Sequence, residues 1–214
     1  MELPEWLRYI FEVSFTRDLS EGYTCLNALD LEETDDEIAF LISQSFEYYH
    51  SYELSYTDDQ IAYGIEKMLT GSYAHSIIHS NNLESKLSLV RSFKKVYQYG
   101  FNKRCQQKFH CDCSNKINCI CDMLWDISPL PYCSSNQVSL CEQHKVFTAL
   151  AEVMEFALYL PNPACVKSGL HGLGHLHHRF PKAGLIVDRF LSKSHDLPSV
   201  IIDYAREART GCVL

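Results

Sequence analysis

The sequence predicts an all-α chain of about eight helices. Apolar residues recur at i, i+3, i+4 and i+7 through most of its 214 residues. Capping boxes and prolines stand where helices would begin. No alternating strand pattern and no Asn-Gly or Asp-Gly hairpin turn interrupts them.

Each helix has a local reason. Pro4 sits near a helix start, and Trp6, Tyr9, Ile10 and Val13 follow at helical spacing. Thr34-Asp35-Asp36-Glu37 is a capping box, and Ile38, Leu41, Ile42, Ser45, Phe46 and Tyr49 line one face behind it. Thr57-Asp58-Asp59-Gln60 is a second box, followed by Ile61, Ile65, Met68 and Leu69, with Gly71 as the expected stop. A long helix is expected from Leu83 to Cys105. Its apolar side carries Leu87, Val90, Phe93, Val96, Tyr97 and Phe101, and Arg91, Lys94 and Lys95 lie on another side. Residues 106–119 are polar and Cys-rich and read as a loop. A short helix follows from Cys121 to Ile127, and Pro129 and Pro131 break the chain. Gln137 to Tyr159 is apolar on most sides, as expected of a helix sandwiched between neighbours. Helices then follow Pro161 and Pro163, Pro181, and Pro198.

The net charge of −8 is unevenly spread. Residues 1–80 hold 16 acids and 3 bases, residues 81–110 hold 1 acid and 7 bases, and the rest is nearly neutral. Direct nucleic-acid binding is disfavoured, because it needs clustered Lys and Arg. An acidic surface favours a basic protein partner. Part of the acidity is explained more simply by carboxylates in the first turns of capped helices, where the helix dipole favours them. The basic stretch at 91–108 reads as a solvated face, as a pairing surface for an acidic helix, or as the docking face of a structural scaffold.

The acidic start, Met1-Glu2-Leu3-Pro4-Glu5-Trp6, lacks the basic region of a signal peptide. No run reaches the roughly 18 apolar residues of a membrane span. Cys212 is followed by two residues where a prenylation box needs three. A cytoplasmic protein without membrane attachment is expected, with most of its ten Cys as reduced, buried filler.

No P-loop, Gly-x-Gly-x-x-Gly, Gly-x-Ser-x-Gly or His-Glu-x-x-His motif occurs, so no catalytic residues and no cofactor are assigned. Zinc is the alternative cofactor, held by Cys111, Cys113, Cys119 and Cys121. Thiolates are soft ligands, although a single residue within each Cys pair is unusual spacing. A disulfide across this loop is a further alternative. His171, His175 and His178 fall at i, i+4 and i+7 on one helix face. They read as structural histidines in preference to ligands, because the metalloprotease Glu is replaced by Gly172. Gly169, Gly172 and Gly174 weaken that helix by about 1 kcal/mol each, so close helix–helix approach is the expected compensation.

The candidate partner-binding surface is Glu47, Tyr48, Tyr49, Tyr52, Glu53, Tyr56, Asp58 and Asp59. Tyr supplies large contact area at low entropic cost, and neighbouring carboxylates pair with Arg and Lys. The plainer reading of the same residues is a helix end with half-buried tyrosines and ordinary caps.

The segment Cys165-Val166-Lys167-Ser168-Gly169-Leu170-His171-Gly172-Leu173-Gly174-His175, followed by Pro181, resembles HEAT-like repeats. It is also similar to a set of bacterial helical proteins with an SxLHGLGH stretch and a GCV ending. Cys121-Asp122-Met123-Leu124-Trp125-Asp126 looks related to the same set. The resemblance implies degenerate antiparallel helix pairs, as an α-solenoid or compact bundle, and no enzymatic activity. No clear linker divides the chain, so one domain, 1–214, is expected, with an acidic half at 1–80 and, by the resemblance, a HEAT-like half at about 120–214. Small acidic bacterial proteins of this kind include immunity proteins of contact-dependent growth inhibition systems. The resulting expectation is a non-enzymatic immunity protein that neutralises a basic toxin, such as a nuclease domain. The alternatives are a Cys/His metal-binding protein or metalloenzyme, and a scaffold.

Overall fold

The structure, a computed structural model, describes residues 1–21, 33–110, 115–132, 139–193 and 197–213. Among the described residues it is helical with no strand, and it has more helices than the eight expected. None of these helices is long and apolar enough to cross a membrane.

The N-terminal run joins α1 (Leu3–Arg8), a π-helical turn (Tyr9–Ser14) and α2 (Phe15–Glu21). Trp6 and Ile10 are fully buried as expected, but Val13 is 47% exposed and Ser14 is buried. A π turn adds a residue per turn and rotates the apolar face, which simple helical spacing does not anticipate. Both predicted capping boxes form. Thr34 and Glu37 start α3 (Asp35–Glu47). After α4 (Tyr49–Tyr52) and a 3₁₀ turn (Glu53–Ser55), Thr57 and Gln60 start α5 (Asp58–Leu69). Gly71, expected as a stop, is left-handed at φ 57° just after the Thr70 C-cap that ends α5, and it also opens α6 (Gly71–His79).

The predicted long helix is α7 (Leu83–Lys95), a second π turn (Val96–Phe101) and α8 (Asn102–Arg104). The expected loop at 106–119 is helical from Lys116, where α9 (Lys116–Asp122) begins behind an Asn115 cap. It is followed by α10 (Leu124–Ile127) and a 3₁₀ turn (Leu130–Tyr132). A third capping box, Ser139 with Glu142, starts α11 (Leu140–Leu158). The chain then forms α12 (Pro163–His177), α13 (Lys182–Lys193) and α14 (Ser199–Thr210), which ends on left-handed Gly211.

Helix α7 packs on both α3 and α11, so one apolar core runs from Trp6 to Val213. Helix α12 packs against α9, α10, α11, α13 and α14. Two of its glycines make this crowding possible. A Cβ at Gly169 would lie 2.7 Å from the Met154 carbonyl oxygen on α11, and one at Gly172 would lie 2.5 Å from Trp125 Cδ1 on α10. Close approach is therefore what these glycines supply, as expected. The start of α12 is fixed by Asn162, which is fully buried. Its Oδ1 accepts from the Ala164 amide, and its Nδ2 donates to the Phe101, Asn102 and Cys105 carbonyls.

Candidate metal centre

Helix α12 carries Lys167, His171, His175 and Arg179 at successive intervals of four, the last just beyond its C-terminus. Residues four apart stack along one side of a helix. Opposite them, Asp122 at the end of α9 and Asp126 in α10 are also four apart. The seat of Trp125 against Gly172 brings these two ridges together, and Trp125 is anchored by donating its Nε1 proton to Tyr97 Oη at 3.0 Å. Lys167 Nζ reaches Asp122 Oδ2 at 2.8 Å.

In the middle of the seam, Asp126 meets both histidines. His171 Nε2 lies 2.9 Å from Asp126 Oδ2, His175 Nε2 lies 2.9 Å from Asp126 Oδ1, and the two Nε2 atoms are 2.8 Å apart. With the carboxylate ionised, one proton per nitrogen cannot satisfy all three contacts. Two protons set the N–H groups against each other. One proton leaves a nitrogen lone pair facing a carboxylate oxygen. A cation within the triangle satisfies all three donor atoms at once. Zinc bonds of about 2.0–2.1 Å ask the nitrogen pair to open by only roughly half an ångström.

The site is sealed on one side and open on the other. The His171 side chain is 7% exposed, His175 22% and Asp126 33%. Burial lowers the His171 pKa against the raising influence of Asp126, which favours the neutral imidazole that a metal requires. His171 Nδ1 lies 2.7 Å from Tyr204 Oη on α14. An outer partner of this kind fixes ring orientation and tautomer in metal sites. Burial, with Asp122 and Asp126 nearby, raises the Tyr204 pKa, so its hydroxyl remains protonated. Two nitrogens and one carboxylate oxygen make a borderline ligand set suited to zinc or another divalent first-row metal.

Helical spacing alone puts His171 and His175 on one face and reads them as structural, and nothing in the sequence pairs Asp126 with them. His178 leaves the group and packs against Gly211. The cysteine alternative divides. Cys111 and Cys113 lie outside the described residues. Cys119 and Cys121 are on α9 and not in a loop, so two residues of separation turns their side chains about 200° apart around the axis. Cys121 is fully buried with Sγ toward the Ala164 carbonyl, whereas Cys119 is half-buried beside an apolar cleft.

The tyrosine-acid stretch also divides. Tyr49, Tyr52 and Glu53 are buried, and burial raises the pKa of both tyrosines. Tyr56 is half-buried against Phe11. The basic segment neutralises much of the acid: Lys103 pairs with Glu53 at 3.1 Å, Arg104 pairs with Asp58, and Lys95 approaches Glu47 at 3.9 Å. Glu47, Tyr48 and Asp59 stay exposed.

Comparison of the chain with family models, curated proteins and solved structures gives no match.

Proposed function

We propose that this chain is a metal-binding protein whose centre is Asp126, His171 and His175. The observation that carries the reading is the convergence of three ligand atoms within 4.8 Å of one another, in an arrangement that ring protons leave unsatisfied while the carboxylate is ionised. Three protein donors leave at least one position of a four-coordinate ion open, as in catalytic rather than structural zinc sites. Chelator-treated protein titrated with zinc tests it. One equivalent should bind, and His175→Ala or Asp126→Asn should abolish binding while His178→Ala preserves it. Equal zinc binding by all four proteins would reject the centre.

A second reading keeps the protein-partner expectation: an immunity protein that neutralises a basic toxin nuclease domain. Its support is the pair Tyr48 and Leu54, the latter 91% exposed, close in sequence to Glu47 and Asp59. Exposed apolar groups rimmed by acid suit a basic partner. Co-expression with the product of the adjacent gene tests this reading. A complex that associates more slowly in high salt supports it. A complex unaffected by charge reversal at Glu47 and Asp59 counts against it.

A further inference from the structure

One turn past His175 on the same ridge stands Arg179, exposed and with no carboxylate within ion-pairing distance among the described residues. Its Nη1 donates to the Pro131 carbonyl at 3.0 Å, and its guanidinium lies over the Tyr132 ring, 5.7 Å from the centroid. That single bond leaves most of the guanidinium's five donors uncommitted. Tyr132 in turn packs edge-on against His175, with centroids 5.9 Å apart, and the residue is 41% exposed. A phenol therefore packs on His175, the more exposed of the two histidines, and a guanidinium one turn further along α12 lies over that phenol.

We infer that this centre takes a small oxyanion, a phosphate or carboxylate group, between a divalent metal ion and the Arg179 guanidinium, with the Tyr132 hydroxyl as an added donor. This rests on the metal reading above. The chemistry is complementary on each side. A metal with three protein donors accepts an oxygen ligand in its remaining position. A planar guanidinium free of carboxylates recognises a second oxygen of the same group. Lys167 does not compete for the role, because Asp122 neutralises it.

The test titrates inorganic phosphate, and separately acetate, into zinc-loaded and zinc-free full-length protein. Zinc affinity is measured first, without anion. If zinc does not bind, the underlying reading fails and this inference falls with it. If zinc binds and neither anion binds, the oxyanion inference alone is overturned. The expected result is phosphate binding that depends on zinc and weakens roughly tenfold in Arg179→Gln, the loss of about one charge-assisted contact. Zinc affinity in that variant should stay at the wild-type value. Arg179→Lys should recover part of the loss, and Tyr132→Phe supplies an independent variant with a smaller loss. Acetate binding to the same arginine-dependent site would identify a carboxylate as the ligand. Anion binding that is equal in wild type, Arg179→Gln and Tyr132→Phe would overturn the inference.

Discussion

The Nε2 atom of His171 stands 2.8 Å from the Nε2 atom of His175, and the carboxylate of Asp126 faces both. Two ring nitrogens are kept close by a crowded helix: α12 is wedged among five neighbouring helices, and the rings occupy adjacent turns of it, so only a small opening of the pair is needed to admit a cation. The electrostatic strain of the triangle is thus fixed by packing, and a bound cation relieves it.

A ligand that binds only the folded chain stabilises it. At a zinc concentration a hundredfold above Kd the gain is about 2.7 kcal/mol. For a chain of this size that raises the unfolding midpoint by roughly 5–10 °C. Thermal scans with zinc and with chelator should show the shift in wild type and in His178→Ala. The shift should vanish in His175→Ala.

Gly172→Ala should disturb both stability and the metal centre. Its new methyl would sit 2.5 Å from Trp125 Cδ1 and 2.7 Å from Nε1, distances at which backbone or ring must move. Overpacking of this kind costs about 1–3 kcal/mol. The displaced Trp125 is bonded directly to Asp126 along the chain, so zinc affinity should fall with stability. Urea denaturation and zinc titration of the same variant check the pair of effects. Loss of stability with unchanged zinc affinity would separate Asp126 from the Trp125 seat.

Much of this architecture was legible because capping and periodicity are local. Thr34 and Thr57 announce their helices through side-chain oxygens that reach only three residues onward. The π turn at Tyr9–Ser14 was not legible, since simple helical spacing does not anticipate its extra residue per turn. The metal candidate was half visible. His171 and His175 share a face by spacing alone, and Asp122 and Asp126 repeat that spacing, but only tertiary contact matches one ridge to the other. The tyrosine-acid stretch misled for a related reason. Composition near residue 50 cannot reveal that Lys103 and Arg104, some fifty positions away, neutralise it.

Those distant pairs differ in worth. Arg104 is largely enclosed, pairs with Asp58 and also donates to the Glu53 carbonyl. Arg104→Ala should cost about 2 kcal/mol, within the range for hydrogen bonds to charged groups. Lys95 and Glu47 are both more exposed and 3.9 Å apart, so Lys95→Ala should cost less than about 0.5 kcal/mol. Chemical denaturation of the two variants gives the comparison. Equal losses would mean that Arg104 does not join α8 to the start of α5.

Asp18 provides the pH-dependent case. Its carboxylate is buried, which alone would raise its pKa. Hydrogen bonds from Tyr63 and Lys67 outweigh burial, with help from the charges of Lys67 and Arg17, and hold it below the ordinary carboxylate value. A depressed folded-state pKa means that the unfolded chain takes up the proton more readily. The stabilisation is therefore complete well above the unfolded value of about 3.9. It is lost as pH falls through the lower folded value. Asp18→Asn removes the charge at every pH while nearly keeping the shape. The variant should be less stable than wild type by about 1–3 kcal/mol at pH 7, and the gap should narrow below about pH 4. Urea midpoints for both proteins from pH 7 down to pH 3 measure the gap. A gap that stays constant across that range would show that the carboxylate acts through packing and not through its charge.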